Sequence, residues 1–317
     1  MLVHIGFLAL GSVLLYAGGE GLVRGAGTMA LRLGLSPFII GITIVAFATS
    51  APELAVSLQA AWAGADDVAI GNVVGSNIAN IGLILGICAV LRPVKIEARI
   101  LSLDLPWLIF VSLLLVAFLN DGHISRPAGM VFLLGLVVFL YWNIQVARRE
   151  QEDERVRLEF EGAVPRVKES ALMDWVFIFG GLVALVAGGA AFVRGGVGLA
   201  TALGVSPALI ALTVIAIGTS LPELATSVVA SLKGNDDIAV GNIIGSNFFN
   251  ILAILGITAV LLPLDRGDIT TVDLVVMLMF ALMLVPLIMV RRRIGRPEGL
   301  ALLAAYVAYI AWLARQA

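Results

Sequence analysis

Long apolar stretches follow one another along most of the chain, separated by short polar or charged connections. A membrane-spanning helix needs about 20 apolar residues to cross roughly 30 Å of hydrocarbon. Unbroken runs of this length favour helices over the ten-residue alternating pattern of a membrane β-barrel. The pattern therefore predicts an all-α polytopic membrane protein with ten transmembrane helices, at about 2–31, 37–62, 69–91, 101–118, 127–146, 172–201, 207–232, 239–262, 271–290 and 298–314.

The chain contains an internal repeat. The segment that begins "SPFIIGITIVAFATSAPELA" at Ser36 recurs as "SPALIALTVIAIGTSLPELA" at Ser206, an offset of 170 residues that holds without a gap. Each unit holds five spans, and an odd number makes the second unit enter the membrane inverted. Inverted repeats are typical of secondary transporters. We expect a first five-helix repeat at 1–146, a cytoplasmic linker at 147–171 and a second, inverted repeat at 172–317.

Composition and charge agree with a surface that faces lipid. Charged residues are 13% of the chain and hydrophobic residues 60%, whereas soluble domains carry about 25% charged residues. The net charge of −2 argues against a nucleic-acid partner, and nothing in the sequence indicates an obligatory protein partner. Of the 20 Lys and Arg residues, 15 fall on the side that holds the linker and three on the other. This bias predicts a cell-membrane protein, plasma or inner, with both termini outside.

Each repeat places a carboxylate in mid-span, Glu53 after "ATSAP" and Glu223 after "GTSLP". An ionisable side chain costs roughly 2.5–3.5 kcal/mol there on insertion scales, so it indicates function. Thr49 and Ser50 precede Glu53 by four and three residues and share its helix face. The proline between them and Glu53 lacks an N–H, which predicts a broken helix that opens near Ala48. Carboxylate, hydroxyl and freed carbonyl oxygens are the ligands that hard cations prefer.

The span after each glutamate carries a polar stripe at a spacing of four residues. The two stripes are Asn72, Ser76 and Asn80 in "GNVVGSNIAN", and Asn242, Ser246 and Asn250 in "GNIIGSNFFN". We expect the stripes to face the glutamates across a pseudo-twofold axis. Asn77 and Asn247 lie about 100° around the helix from these stripes. They either take part in the site or form hydrogen bonds between helices.

The paired "TSxPE" and "GNxxGSNxxN" segments resemble the two α-repeats of the sodium/calcium exchanger family, within the cation/calcium antiporter superfamily. The resemblance covers nearly the whole chain. It implies a central Ca²⁺ site at Glu53, Glu223, Thr49 and Thr219, with Asn80 and Asn250 at its centre. It also implies flanking Na⁺ sites that use Ser50, Ser76 and the Ala46 carbonyl on one side, and Ser220, Ser246 and the Ala216 carbonyl on the other.

The resemblance implies a secondary antiporter that exchanges Na⁺ for Ca²⁺ by alternating access, with three Na⁺ per Ca²⁺ and no cofactor. It further implies that the long first and sixth spans slide together against the other eight. Their glycines suit a sliding face or ordinary tight packing equally well; these are Gly18, Gly19, Gly25, Gly188, Gly189 and Gly195.

Four other functions remain in view. One is a cation channel, although a pair of inverted repeats argues for alternating access rather than a symmetric pore. A K⁺-dependent Na⁺/Ca²⁺ exchanger is the nearest, because some family members carry an acid at the position of Asn250. A H⁺/Ca²⁺ exchanger is next, although proton-coupled families usually place their glutamate in a "GNxxE" setting. A membrane enzyme is disfavoured because the spans hold no His-x-x-x-His motif and no Ser/His pairing, and the chain has no nucleotide-binding loop.

Overall fold

A computed structural model describes residues 1–97, 99–161, 170–204 and 216–316. Helices make up nearly all of this part of the chain. In order they are α1 (Leu2–Leu33), α2 (Pro37–Thr49), α3 (Ala51–Trp62), α4 (Asp66–Leu91), α5 (Ile100–Asn120), α6 (Arg126–Glu161), α7 (Ala171–Ala202), α8 (Leu221–Leu232), α9 (Asp236–Leu261), α10 (Thr271–Arg291) and α11 (Arg296–Leu313). A short helical turn, Ala216–Gly218, precedes α8.

Seven of these helices are long and apolar enough to cross a membrane, or eight if α2 and α3 form one bent span. Most observed bounds lie within three residues of the predicted ones. The exception is α6, which continues to Glu161 and so occupies the first part of the predicted linker 147–171. Residues 162–169 of the linker, and the start of the predicted span 207–232, lie outside the described residues. Ten complete spans therefore stay a prediction.

Two pairs of very short antiparallel strands join connections that are far apart in sequence. Strand β1 (Val94–Lys95) pairs with β4 (Arg293–Ile294), and β2 (His123–Ile124) pairs with β3 (Leu264–Asp265). The paired strands are about 140 to 200 residues apart in sequence, so each pair connects one repeat to the other.

Helices α1 and α7 run antiparallel and touch backbone to backbone. A Cβ atom added to Gly18 would lie 2.7 Å from the carbonyl oxygen of Gly181, and one added to Gly25 would lie 2.8 Å from that of Asp174. Later residues of α1 thus meet earlier residues of α7. Such close approach is possible only where side chains are absent, as in other membrane helix pairs with small residues at the interface.

The six glycines singled out in the sequence divide into two groups. Four of them face the partner helix within the α1–α7 pair: Gly18, Gly25, Gly188 and Gly195. Gly19 and Gly189 instead face α8 and the turn before it. A Cβ added to Gly19 would lie 3.1 Å from the carbonyl oxygen of Ala225, and one added to Gly189 would lie 3.8 Å from that of Gly218. The glycines therefore serve mainly to join α1 to α7, and only the second group lies against the other helices.

The interior of the protein is formed by α4 and α9, which are its most buried long helices. Their side chains pack among α5, α6, α10 and α11 in one continuous apolar cluster that includes Ile78, Phe132 and Phe248. Helices α1, α6 and α7 present most of their surface outward. The polar stripes of α4 and α9 thereby come to lie at the centre of the molecule.

Candidate cation-binding site

The breaks in the helices that precede the two glutamates have the same geometry. Helices α2 and α3 meet at Ser50 with a bend of 41°. Ser50 has φ −83° and ψ 2°, and Ser220, which precedes α8, has φ −86° and ψ 7°. Pro52 and Pro222 occupy the first turn of the helix that follows, where a missing N–H is tolerated. The predicted break is present, but it falls at Ser50 rather than near Ala48, because the proline starts a new helix instead of only kinking the old one.

Both carboxylates are buried, with 1% of each residue exposed. Glu53 Oε1 accepts a hydrogen bond from the Ser220 hydroxyl at 3.4 Å, and Glu223 Oε1 accepts one from the Ser50 hydroxyl at 3.2 Å. Each glutamate is therefore held by a serine of the other repeat. Among the described residues, neither Glu53 Oε2 nor Glu223 Oε2 has a hydrogen-bond partner. Buried anionic oxygens without partners are costly, and a bound cation removes that cost.

Asn72 of α4 links the two repeats. Its amide nitrogen donates to the Ser57 hydroxyl at 2.9 Å and to the Glu53 carbonyl oxygen at 3.1 Å, and its oxygen accepts from the Thr219 hydroxyl at 3.4 Å. One end of this side chain thus holds the helix that carries Glu53. The other end holds the hydroxyl that precedes the second helix break.

Asn242 of α9 repeats the arrangement with every partner shifted by 170 residues. Its nitrogen donates to the Ser227 hydroxyl at 3.0 Å and to the Glu223 carbonyl oxygen at 3.5 Å, and its oxygen accepts from the Thr49 hydroxyl at 3.0 Å. The same contacts therefore occur twice, with the residues of the two repeats interchanged, as a pseudo-twofold axis between the repeats requires. Each stripe thus contacts a threonine of the opposite repeat, whereas its hydrogen bond to a glutamate is to the backbone of its own repeat. That the stripes face the glutamates across the axis stays a prediction.

The remaining hydroxyls of the predicted set lie beside these contacts. Ser76 and Ser220 hydroxyl oxygens are 3.3 Å apart, and those of Thr49 and Ser246 are 3.5 Å apart. The Ala46 carbonyl oxygen accepts from the Ser50 N–H at 3.0 Å and from the Thr49 hydroxyl at 3.3 Å. All of these groups therefore belong to one buried oxygen-rich network.

The central asparagines also pair across the repeats. Asn80 donates to Asn247 Oδ1 at 3.2 Å, and Asn250 donates to Asn77 Oδ1 at 3.0 Å. Asn77 and Asn247 thus form hydrogen bonds between α4 and α9. Ala216 begins the short helical turn before Thr219, and its part in ion binding stays a prediction.

Sequence reasoning missed Ser57 and Ser227, which hold Asn72 and Asn242. A signal was present, since each serine follows its glutamate by four residues in both repeats. No cluster of three or more His, Cys, Asp or Glu side chains occurs in the part of the chain that the structure describes. A cation here would be held by two carboxylates supplemented with neutral oxygens, which suits hard cations such as Ca²⁺ and Na⁺.

The fold and this site define a multi-pass membrane transporter of cations. The family model for the sodium/calcium exchanger protein matches residues 3–145 and again residues 173–315. The chain belongs to the sodium/calcium exchanger family.

Relatives of full length support the same membership. CaxA from Alkalimonas amylolytica is 42% identical over 313 residues, which cover 98% of both chains. The sodium/calcium exchanger MaX1 from Methanosarcina acetivorans is 33% identical over 341 aligned positions that cover 97% of each chain. A solved structure of the sodium-calcium exchanger NCX_Mj superposes with a TM-score of 0.82 at 30% identity, covering 98% of each chain.

Proposed function

We propose that this protein is a secondary antiporter that exchanges Na⁺ for Ca²⁺ at one shared site between Glu53 and Glu223. The observation that carries the proposal is the pair of buried carboxylates. Each is anchored through one oxygen by a serine of the opposite repeat and keeps its second oxygen without a partner in the described residues. A bound cation would give these second oxygens a partner. Membership of the sodium/calcium exchanger family supports the choice of ions.

Charge balance explains why the two ions exclude each other. Two ionised carboxylates give the site a charge of about −2, which one Ca²⁺ or two Na⁺ neutralise. Because both ions need the same glutamates, one must leave before the other binds, and this exclusion couples their movements. A third Na⁺ would bring a net positive charge, so three Na⁺ per Ca²⁺ would make exchange electrogenic.

The neutral ligands that we propose are those implied by the family resemblance, although the hydrogen bonds pair Ser76 with Ser220 of the other set. Thr49 and Thr219 complete the Ca²⁺ site beside the glutamates. Pairs of serines serve the flanking Na⁺ sites, each with one alanine carbonyl; the members are Ser50, Ser76 and Ala46, and Ser220, Ser246 and Ala216. The contacts of Ser220 with both Glu53 and Ser76 support shared ligands between neighbouring ion positions.

The proposed architecture is two inverted five-helix repeats, 1–146 and 172–317, joined by the cytoplasmic linker 147–171, with both termini outside. The antiparallel course of α1 and α7 supports the inversion, since these helices begin equivalent parts of the two repeats. Alternating access would then move the glycine-joined α1–α7 pair as one body against the other helices.

The experiment is Na⁺-gradient-driven ⁴⁵Ca²⁺ uptake in proteoliposomes that contain the purified protein. Glu53→Gln and Glu223→Gln each keep the shape of the side chain and halve the charge that faces a divalent ion, so each should abolish uptake. Glu298→Gln is the matched control, because that carboxyl caps the start of α11 through the Gly295 N–H and lies outside the site. Normal uptake by either site variant would exclude the proposed site.

A further inference from the structure

Four asparagines form a buried cluster where the two repeats meet. They are Asn77 and Asn80 from α4 and Asn247 and Asn250 from α9, and each is at most 3% exposed. Asn80 begins a π-helical segment, Asn80–Leu85, and Asn250 lies within the equivalent segment Phe249–Leu255. Single π-helical turns inside α-helices often mark functional positions, because they turn a side chain away from the regular helix face.

In the hydrogen bonds between these asparagines, Asn80 and Asn250 are the donors and Asn247 and Asn77 are the acceptors. The amide nitrogens of Asn80 and Asn250 donate to Asn247 and Asn77, while Oδ1 of Asn80 and Oδ1 of Asn250 find no partner in the part of the chain described. These two carbonyl oxygens are therefore in the same condition as the free carboxylate oxygens of Glu53 and Glu223.

A primary amide has two faces of opposite polarity, since its oxygen accepts and its NH₂ group donates. Only the oxygen can bind a cation, and an NH₂ group turned toward the ion would repel it. An asparagine in a cation site therefore needs something that engages its nitrogen elsewhere. In this protein Asn247 Oδ1 and Asn77 Oδ1 do so, at 3.2 and 3.0 Å.

We propose that Asn77 and Asn247 are positioning residues that hold Asn250 and Asn80 with their carbonyl oxygens toward the bound cation. The inference rests on the proposed function, because it assumes a cation between the repeats. Each positioning residue comes from the repeat opposite to the amide it orients. Asn77 has its own nitrogen 3.9 Å from the sulfur of Met277, which keeps its oxygen directed at Asn250.

The test is equilibrium ⁴⁵Ca²⁺ binding to the purified protein in detergent, with Na⁺ replaced by choline. Asn77→Leu and Asn247→Leu should each raise the Kd for Ca²⁺ by about five- to tenfold, the equivalent of one lost hydrogen bond. Asn77→Asp keeps an oxygen that accepts from Asn250 and should retain binding. Asn143→Leu is the control, since it removes a buried amide that bonds to Arg99 and the Phe139 carbonyl instead.

A double-mutant cycle separates orientation from a general structural role. If Asn77 acts only through Asn250, then Asn77→Leu adds nothing in an Asn250→Ala background, yet its full effect persists in an Asn80→Ala background. A loss that adds equally in both backgrounds, or an unchanged Kd for Asn77→Leu, would overturn the inference while the exchange function stands. A wild-type protein that binds no Ca²⁺ would overturn both.

Discussion

Gly181 of α7 lies against the backbone of α1, and replacing it by alanine should force the two helices apart. The added Cβ would lie 2.6 Å from the Leu22 nitrogen and 2.7 Å from the Gly18 carbonyl oxygen. Ordinary contacts of a Cβ atom begin near 3.4 Å, so the helices must separate locally by about 0.8 Å (3.4 − 2.6). Both obstructing atoms are backbone, and no side-chain rotation can relieve them.

Gly180→Ala is a matched control one residue away. Outside its own helix, no atom of the described residues lies within 4 Å of a Cβ added there. Both variants gain the higher helix propensity of alanine, about 1 kcal/mol. Only Gly181→Ala carries the cost of overpacking, about 1–3 kcal/mol. The difference between the two variants, about 1–3 kcal/mol, therefore reports the α1–α7 contact alone.

The measurement is equilibrium unfolding of the purified variants in mixed micelles, with Na⁺-driven ⁴⁵Ca²⁺ uptake as a second readout. We expect Gly181→Ala to be less stable than Gly180→Ala and to transport more slowly. Gly11→Ala should behave like Gly181→Ala, because its added Cβ would lie 2.6 Å from the Phe192 nitrogen in the equivalent contact. Equal stability of Gly180→Ala and Gly181→Ala would refute the backbone contact.

Three further outcomes follow from the site and the charge pattern. Acid should weaken Ca²⁺ binding between pH 8 and pH 5.5, because a proton on Glu53 or Glu223 removes charge that holds the ion; an apparent affinity that stays flat would argue against carboxylate ligation. Exchange should continue when K⁺ is replaced by choline on both sides, because one Ca²⁺ already neutralises two carboxylates and a co-bound K⁺ would leave an uncompensated charge in a low-dielectric site. Flux that vanishes without K⁺ would contradict this charge count. Asn250→Asp should change cation preference more than stability. In a Cys88→Ala background, a cysteine at Ala63 should be labelled from outside intact cells and one at Arg149 should not, and the opposite result would reverse the topology.

Much of the site could be predicted because the chain carries it twice. A single buried glutamate could be a structural ion-pair partner. Two glutamates at equivalent positions of two repeats, Glu53 and Glu223, instead indicate a common role in ion binding. The spacing of Thr49 and Ser50 before Glu53 predicted hydroxyls on the helix face of that glutamate. In the structure all three residues are buried, but the helix breaks at Ser50 and the Ser50 hydroxyl donates to Glu223. The position of the helix break was less well predicted, since a proline can either kink a helix or begin a new one.

The sequence by itself determined the class of the protein, its repeat and the residue types at its centre. These are local properties, set by hydrophobic length and by the spacing of polar side chains along one helix. Only the tertiary structure decided which groups meet: Ser50 with Glu223, Ser220 with Glu53, and Asn77 with Asn250. These partners are more than 160 residues apart, and no periodicity reports on them. Their contacts arise because the buried faces of α4 and α9 pack together and bring equivalent segments to opposite sides of one axis.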